Sequence, residues 1–378
     1  MKAPVIMQIL PRLDTGGVER GTVDVAAALV AAGKCSIVVS SGGKMVREVE
    51  RVGALHITVP VDSKNPIMML KNANTLADLI LTYGVDIVHA RSRAPAWSAR
   101  LSANRCKIPF MTTFHGTYNF NNPLKKKYNA IMTKGDRVIA ISDFIRQHVC
   151  ENYNTPHEKI RVISRGIDLD IFNPSVVSAE RIVQLANSWR LNDHSPVIML
   201  PGRLTRWKGQ SILIEAARIL SRPGVRVLLV GDDQGRTRYR RELENRIRKN
   251  GMEKIIHITG PCRDMAAAYM LADVVVSPST DPEAFGRVAA EALAMGRLVV
   301  ASDHGGARET VEDGKTGWLV PPGDPNALAR ALNRALDMTN EDRRKHSQIA
   351  IKRIQENFAK QKMCSATLAV YDELLHVE

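Results

Sequence analysis

A strand, a loop and a helix follow one another at residues 274–296, which read VVVSPSTDPEAFGRVAAEALAMG. Val274–Ser277 is a short apolar run of the kind that forms a strand buried on both faces. The loop after it contains proline and glycine, and a helical pattern over Arg287–Met295 then stops at Gly296, a typical helix terminator. A second apolar run, Leu298–Ala301, comes next. Buried strands joined by a helix predict a parallel βαβ unit.

The same alternation extends in both directions along the chain. Other predicted helices are Val18–Ala32, Ile67–Tyr83, Arg236–Asn250, Met265–Ala272, Asn326–Met338 and a last one at about Lys360–Leu375. Other predicted strands are Val5–Leu10, Ile37–Ser41, Leu55–Val59, Asp86–His89, Phe110–Phe114, Val138–Ile141, Val162–Ser164, Val197–Leu200, Val225–Val230, Ile255–Thr259 and Trp318–Val320. We therefore expect an α/β chain with two Rossmann-like doubly wound domains facing a cleft. In such sheets ligands bind at the carboxyl ends of the strands.

Length and composition agree with a two-domain globular protein. A chain of 378 residues exceeds one ordinary hydrophobic core, and 44% hydrophobic with 24% charged residues excludes a disordered chain. No apolar stretch reaches the roughly 18 residues that a membrane helix needs. The run Val5–Leu10 suits a first strand better than a signal peptide. The five cysteines lie far apart without CxxC spacing, so we expect neither a disulfide framework nor a zinc site, and a cytoplasmic location.

The charge balance indicates an anionic partner. The formal net charge is +14, and residues 1–175 contain 23 basic and 14 acidic residues against 30 and 25 in the remainder. Nucleic acid, an anionic membrane face and phosphorylated substrates all fit a basic protein. Nucleic acid is disfavoured because the basic residues are scattered, with Lys125–Lys127 as the longest lysine run and few aromatic residues near it. A solvated basic surface remains the alternative.

Two features of the first half mark candidate ligand contacts. Gly16 and Gly17 lie between the first strand and its helix, where backbone N–H groups could approach an anionic or polyhydroxy ligand, although a plain tight turn is the alternative. The glycine spacing, with Gly21 next, is not the GxGxxG of a dinucleotide site. His115, followed by Gly116, ends the strand Phe110–Phe114 and should have a pKa near neutrality. A capping or core histidine is the alternative there.

A cationic pair follows the first strand of the second half. Arg203 and Lys208 are five residues apart across a loop that opens a helix, so they could bracket a diphosphate. A helix N-terminus alone contributes only about 0.3–1 kcal/mol, up to about 2 when partly buried. The forked guanidinium of Arg203 and the ammonium of Lys208 would neutralise the rest of the diphosphate charge. Surface charge with a helix cap is the alternative interpretation.

Two acidic residues lie on the loop and helix quoted first. Glu283 is in the loop, and Glu291 is about one turn into the helix, where its side chain leans back toward Phe285–Gly286. Two carboxylates would repel a phosphate, but they can accept hydrogen bonds from sugar hydroxyls. A cap and an exposed helix face are the structural alternative. Gly305 and Gly306, after the next strand, are expected to shape a supporting loop.

One motif matches a metal-binding signature without being a predicted metal site. Asp168-Leu169-Asp170 matches a DxD signature, but it follows Arg165-Gly166 beside the expected domain boundary, so we interpret it as a turn. No other cluster has convincing metal-ligand spacing. The polar segment 173–195 is the expected boundary, which places the first domain at residues 1–175 and the second at 176–359.

Together these motifs resemble the retaining glycosyltransferases of family 4, the group 1 glycosyltransferases. The resemblance covers nearly the whole chain and is most specific in the second half. It implies the GT-B fold, with the nucleotide-sugar donor on the second domain, the acceptor on the first, and the last helix, about 360–378, completing the first domain. The motifs are Gly16-Gly17-x-Glu19-Arg20, His115-Gly116, Arg165-Gly166-Ile167-Asp168, Gly202-Arg203-Leu204, Lys208-Gly209 and the Glu-x7-Glu pair Glu283 and Glu291.

The resemblance also implies roles for these residues. Arg203 and Lys208 would bind the donor diphosphate, Glu291 the ribose and Glu283 the donor sugar. Backbone groups near Glu283 would assist, from Phe285, Gly286 and Arg287, while His115 would contact the transferred sugar and Gly16 and Gly17 the donor phosphate and acceptor. No cofactor or bound metal is implied. One departure is Arg165, where the family often has asparagine, and it leaves the contact made there open.

The implied function is transfer of a sugar, with retention, from a nucleoside diphosphate sugar to an acceptor hydroxyl. Cell-envelope lipopolysaccharide or glycolipid synthesis is one setting for it, and a sugar-nucleotide epimerase or hydrolase and a non-enzymatic anionic-ligand-binding protein are the alternatives. We further expect that an anionic glycolipid or the inner face of a membrane could be bound by basic residues of the first half, aided by Phe120 and Tyr128. Those basic residues are Arg91, Arg93, Lys107, Lys125, Lys126, Lys127 and Lys134.

Overall fold

The computed structural model describes residues 3–118, 120–191, 195–220 and 222–376. The chain forms two compact units, Met1–Gly166 with Lys360–Glu378, and Ile167–Ala359. This division comes earlier than the expected boundary at 175/176, because the Asp168 turn and Phe172 pack within the second unit, where Phe172 meets the ring of Tyr269 edge-on. Residues 192–194 of the expected boundary segment and 377–378 of the expected last helix lie outside the described residues.

The first unit contains a seven-stranded parallel sheet in the order β3-β2-β1-β4-β5-β6-β7. The central strands are buried along their whole length, which explains their continuous apolar runs. The strands are β1 Val5–Ile9, β2 Cys35–Ser40, β3 Leu55–Thr58, β4 Ile87–Ala90, β5 Phe110–Phe114, β6 Arg137–Ala140 and β7 Ile160–Val162.

Helices alternate with these strands, as the sequence pattern predicts. Helix α3 shows why they start and stop where they do: the Asn65 side chain accepts a hydrogen bond from the Ile67 N–H, Pro66 opens the helix, and Gly84 ends it at φ 61°. The helices are α1 Gly17–Ala31, α2 Val46–Arg51, α3 Pro66–Tyr83, α4 Arg93–Cys106, α5 Pro123–Asn129 and α6 Asp143–Tyr153.

The second unit contains a six-stranded parallel sheet in the order β10-β9-β8-β11-β12-β13. Its strands are β8 Val197–Pro201, β9 Arg226–Val230, β10 Ile256–Gly260, β11 Val274–Ser277, β12 Leu298–Ser302 and β13 Trp318–Val320. Its helices are α7 Ala179–Ser188, α8 Gln210–Leu220, α9 Thr237–Lys249, α10 Met265–Leu271, α11 Arg287–Ala294, α12 Ala307–Thr310, α13 Pro325–Leu336 and α14 Asn340–Asn357. The strand–loop–helix at 274–296 is therefore β11, its following loop and α11.

The last helix, α15 Lys360–Leu375, returns to the first unit. Met363, Val370, Tyr371 and Leu374 join the apolar core that lies on β1, β4, β5 and β6. Both predicted Rossmann-like sheets are thus present, and the α/β fold class is confirmed. None of the described helices combines the length and the apolarity that a membrane crossing would need.

Candidate functional site

Two loops of the second unit are held together at the carboxyl ends of β8 and β11. They comprise residues 201–209 and residues 278–286, and the Thr280 N–H donates to the Trp207 carbonyl over 2.7 Å. Gly209 has φ +75°, and a Cβ there would lie 1.9 Å from the Pro278 carbonyl oxygen. Only glycine therefore permits this approach of the two loops.

Lys208 and Glu283, one from each loop, form a largely buried ion pair. Lys208 Nζ lies 2.7 Å from Glu283 Oε1, and the side chains are 12% and 13% exposed. The same oxygen accepts hydrogen bonds from Ser279 Oγ at 2.6 Å and Ser277 Oγ at 3.2 Å. Burial alone would raise the pKa of Glu283, but the Lys208 charge and these hydrogen bonds outweigh it and lower that pKa. Glu283 is thus held as a carboxylate that still has a second oxygen.

Arg203 differs from Lys208 in being exposed. Its guanidinium makes no hydrogen bond or ion pair with any residue that the structure describes, and only its carbonyl is held, by Gln210 Nε2 at 2.9 Å. Gly202 precedes it at φ +145°. The structure therefore brings Lys208 and Glu283 together and leaves the Arg203 fork available at the same sheet edge.

Glu291 is buried at 8% exposure, so its interpretation as part of an exposed helix face is wrong. Tyr269 OH donates to its Oε2 over 3.0 Å, and Arg287 Nη2 donates to its Oε1 over 2.7 Å. Burial first, and then the Glu291 charge, raises the pKa of Tyr269 well above its ordinary value. The tyrosine therefore remains a hydrogen-bond donor, and two neighbours orient Glu291.

The 278–286 loop rests on the glycines that follow β12. The Gly306 N–H donates to the Glu283 carbonyl over 2.7 Å, and a Cβ at Gly305 would lie 2.5 Å from that carbonyl oxygen. Phe285 is 3% exposed and packs edge-on against Phe358 at 5.5 Å between ring centroids. Gly286, at φ +86°, is the N-cap residue directly before α11. The expected supporting role of Gly305 and Gly306 is confirmed.

In the first unit, Gly16 and Gly17 form the start of α1. Gly16 has an extended backbone at φ 177°, and a Cβ there would lie 2.3 Å from the Glu19 carboxylate, which folds back over it. Gly17 is the first helical residue. The extended backbone is open to any residue and the Glu19 side chain can move, so the helix start does not itself require glycine at position 16.

Arg165 is bound to this helix start. Its guanidinium donates to the Gly17 carbonyl, and a Cβ at Gly21 would lie 2.2 Å from Arg165 Nη1. Arg165 is 7% exposed. The residue that departs from the family pattern therefore packs against α1 beside Gly21.

His115 lies directly after β5, as expected, but its environment differs from the expected one. Both ring nitrogens are buried and have no hydrogen-bond partner among the described residues. Burial, and then the charges of Arg165 and Arg91 with a contribution from His89, lowers the pKa of His115 well below its ordinary value. The expectation of a pKa near neutrality is wrong for this reason, and the imidazole is neutral with an unused donor and acceptor.

Arg91 is 3% exposed and does not belong to a basic surface, so that expectation is wrong. Its Nη1 donates to Gln8 Oε1 over 2.6 Å, which joins the ends of β1 and β4. Of the other basic residues named above, Lys107, Lys126, Lys127 and Lys134 are exposed, while Lys125 is half-buried. Arg93 donates to Asn129 Oδ1 over 2.8 Å.

Sequence reasoning missed the partners of the acidic residues. Ser277 and Ser279 are separated from Glu283 by only six and four residues, and a serine-rich loop around a carboxylate was the available signal. Tyr269 is 22 residues from Glu291, on a different helix, and no local pattern connects them. The sequence around Arg165 carries no signal for its contact with the start of α1 apart from its departure from the family pattern.

The Asp168-Leu169-Asp170 motif forms a turn, as expected. Asp168 Oδ1 accepts from the Asp170 N–H over 3.1 Å, and the Asp168 carbonyl accepts from the Phe172 N–H over 2.8 Å. Within the part of the chain that the structure describes, no three His, Cys, Asp or Glu residues are grouped as a metal site would require.

Comparison with known proteins agrees with this arrangement. The model for "Glycosyltransferase Family 4" matches residues 15–171, and that for "Glycosyl transferases group 1" matches residues 184–353. A D-inositol 3-phosphate glycosyltransferase from Xylanimonas cellulosilytica is 31% identical over 308 residues, which cover 76% of this chain and 71% of the relative.

Solved structures agree over the full length. A glycosyltransferase from Rickettsia africae has a TM-score of 0.93 at 38% identity and covers 100% of both chains. HepE from Anabaena, solved with UDP and glucose, has a TM-score of 0.84 at 23% identity, with 97% of this chain and 99% of that chain covered. The chain therefore belongs to the group 1 glycosyltransferases and has their GT-B architecture.

Proposed function

We propose that this glycosyltransferase moves a sugar, with retention of configuration, from a nucleoside diphosphate sugar to an acceptor hydroxyl. The observation that carries the proposal is the set of charges at one sheet edge of the second unit. It comprises Arg203, whose guanidinium has no partner among the described residues, the Lys208–Glu283 pair and the oriented Glu291. A cation for phosphate and carboxylates for hydroxyls are the groups that a sugar nucleotide requires.

In this proposal each of these side chains contacts one part of the sugar-nucleotide donor. Arg203 presents its fork to the diphosphate, and Lys208 uses one of three N–H donors on Glu283 and keeps the others for phosphate. Glu291 accepts hydrogen bonds from the ribose hydroxyls, and Glu283 accepts them from hydroxyls of the transferred sugar. Backbone groups of Phe285, Gly286 and Arg287 lie nearby in the chain and assist. The complex of HepE with UDP-glucose supports a donor of this class.

The reaction is proposed to pass through an oxocarbenium-like transition state. The acceptor hydroxyl attacks the face from which the phosphate departs, and the leaving phosphate oxygen takes the hydroxyl proton. Arg203 and Lys208 neutralise the charge that develops on the diphosphate, so the reaction is proposed to need no cofactor or bound metal. Neutral His115, whose buried ring nitrogens have no partner in the described part of the chain, is proposed to hydrogen-bond the transferred sugar, while Gly16 and Gly17 approach the donor phosphate and acceptor.

The test is the Arg203→Ala variant, with Arg206→Ala as a matched control. Arg206 is also exposed and lies on the same loop, but it is paired with Glu242 at 2.5 Å. We expect R203A to fold normally and to lower kcat/KM for the donor by about 100-fold or more, the range for loss of one charge-stabilising group. R206A should keep most activity. Near-native kcat/KM in R203A would refute the proposal.

Product analysis separates the alternatives. With donor alone, an epimerase or hydrolase would convert the sugar nucleotide, whereas a transferase requires an acceptor. Retention is read from the anomeric configuration of the product by NMR. Activity that persists in a chelator is expected, and activity that is restored only by a divalent ion would refute metal independence.

A second proposal concerns the acceptor and the location of the protein. We propose peripheral association with an anionic membrane on the cytoplasmic side, where a lipopolysaccharide or glycolipid precursor would be the acceptor. Leu124 is 81% exposed and directly precedes Lys125–Lys127 on α5, and Lys126 lies over the Phe120 ring at 5.6 Å. Exposed apolar and basic groups together favour an anionic bilayer surface.

Vesicle co-sedimentation tests this second proposal. At low salt the protein should sediment with vesicles that contain anionic lipid and not with neutral ones, and L124S should weaken sedimentation. L81S, which changes a 72% exposed leucine on α3, is the control. Equal sedimentation with neutral and anionic vesicles would refute membrane association and leave the transferase proposal intact.

A further inference from the structure

A cationic cavity lies at the edge of the second unit's sheet where β11 and β12 begin. Asp273 and Arg297 directly precede these strands, and Arg343 and Arg344 come from the first turns of α14. The cavity has a volume of 490 Å³, and Asn340 and Ser347 of α14 contribute to its lining. The proposed donor residues follow the other ends of the strands, so the cavity is a separate feature.

Two of the charged residues that line this cavity, Arg343 and Asp273, have a structural role. Arg343 Nη2 donates to the carbonyls of Ala335 and Leu336, each at 3.1 Å, and so caps the end of α13. Its Nη1 lies 3.4 Å from Asp273 Oδ1, and Asp273 Oδ2 accepts from the Val197 N–H over 2.8 Å. Asp273 is therefore used by the fold, and its charge offsets one of the three guanidinium charges.

The other two guanidinium groups have donors to spare. Arg297 is half-buried, and its Nε donates to the Met295 carbonyl over 3.0 Å, while its two terminal nitrogens have no partner among the described residues. Arg344 is exposed, and only its Nε is used, on the Asn340 carbonyl at 3.3 Å. Burial lowers the pKa of Arg297, with Arg343 adding to the effect and Asp273 opposing it. The cavity thus has an excess of two positive charges.

We infer that this cavity is a binding site for a small phosphorylated molecule. A phosphate monoester carries close to two negative charges, which matches the excess charge, and its oxygens suit forked guanidinium donors. Amide and hydroxyl groups of Asn340 and Ser347 add neutral donors. A volume of about 490 Å³ is in the range of small-ligand sites.

The strand β11 keeps this site apart from the proposed donor residues. Val274–Ser277 runs from the cavity edge to Ser277, which hydrogen-bonds Glu283 at 3.2 Å. Four residues of strand span roughly 10 Å or more, so one phosphate cannot contact Arg297 and Arg203 together. The inference therefore does not depend on the proposed donor residues, and the two sites can be tested separately.

Calorimetric titration of the full chain is the experiment. Inorganic phosphate and glycerol 3-phosphate are the probes, and glycerol is the unphosphorylated control. We expect saturable binding of the phosphate probes, weakened at least about tenfold by R297Q and by R344Q, because each removes a charge-assisted hydrogen bond. R330Q removes an exposed arginine of α13 outside the cavity and should leave the affinity unchanged.

The relative affinities of the two phosphate probes indicate the kind of ligand. Tighter binding of glycerol 3-phosphate identifies a phosphorylated metabolite as the ligand, and equal binding of both probes identifies free phosphate; either supports the site. Because Arg344 is exposed, R344Q tests the site even if R297Q does not fold. Equal affinities in R344Q and R330Q, no saturable binding, or loss of binding in R203Q with retention in R344Q would overturn the inference.

Discussion

Glu283 shows how one residue gains its properties from several neighbours. Its carboxylate is nearly buried, yet Lys208, Ser279 and Ser277 keep its pKa low. A carboxyl group with a lowered pKa stabilises the fold at pH values above the pKa of the unfolded chain, and the stabilisation is lost as the pH falls through the lower folded-state pKa. The Lys208–Glu283 pair should therefore support the second unit at neutral pH and fail in acid.

Lys208→Met tests this pH dependence. Without the ammonium, burial should raise the pKa of Glu283, and the variant should lose about 3–5 kcal/mol of unfolding free energy near pH 7, as measured in urea. The loss should shrink as the pH falls, because protonation of Glu283 in the variant removes the unpaired carboxylate charge. Adding E283Q should recover part of the loss at pH 7. A loss that does not change with pH would contradict this account.

Arg165 gives a second prediction at the level of single residues. Replacing it with the asparagine common in the family removes a positive charge beside His115, so the pKa of His115 should rise. It should stay below its ordinary value, because burial is the largest cause. NMR titration of the imidazole measures this, with R161N as control, since Arg161 pairs with Glu373 elsewhere in the unit. An unchanged His115 pKa in R165N would refute it.

At the level of loops and helices, Gly209 and Gly323 form a natural comparison. Their φ angles are +75° and +76°, but a Cβ at Gly209 meets the Pro278 carbonyl oxygen whereas a Cβ at Gly323 meets open space. G323A should cost about 1–2 kcal/mol for the left-handed backbone alone. G209A should cost about 2–5 kcal/mol and separate the two loops, lowering donor affinity. Equal losses in urea unfolding would contradict this.

The predicted elements agree closely with the observed ones wherever the hydrophobic period is clear. Val274–Ser277, Phe110–Phe114 and Trp318–Val320 have the predicted bounds, because each run is bounded on both sides by a polar residue, a glycine or a proline. The edge strand β7 is Ile160–Val162 and not Val162–Ser164. Ile160–Val162 are the residues in register with Val138–Ala140 of β6, so the register of pairing and not the apolar pattern sets the bounds of β7.

The candidate site was predictable only in part, for a physical reason. Positions at strand ends, such as His115 and Glu283, follow from the order of elements. Contacts between distant segments do not, and examples are Tyr269 with Glu291, Arg165 with Gly17, and Arg91 with Gln8. These contacts decide burial and pKa, so the environment of His115 and the burial of Arg91 could not be derived from local sequence.

At the scale of the whole molecule, α15 is the helix whose removal should change the stability of the protein most. It supplies Met363, Tyr371 and Leu374 to the core of the first unit, and Tyr371 OH lies 2.6 Å from His89 Nδ1. A chain ending at Ala359 should therefore lose the cooperative unfolding of the first unit and keep that of the second, which has its own core. Scanning calorimetry with limited proteolysis measures both.

Y371F is the control for that truncation. It keeps the ring in the core and removes only the hydroxyl, so it should cost about 1–3 kcal/mol through the unpaired His89 nitrogen and preserve both transitions. A truncated chain with an intact first transition would show that the helix is dispensable.

The path of the chain also sets an order of events at the ribosome. The segment Ile167–Ala359 is continuous and can complete its fold as soon as it has left the exit tunnel. The earlier segment must wait for the final helix, and at about 5–20 residues per second this delay is roughly 10–40 s. During that interval the unfinished N-terminal sheet exposes an apolar face. We therefore expect chaperones to bind the nascent chain mainly at this face.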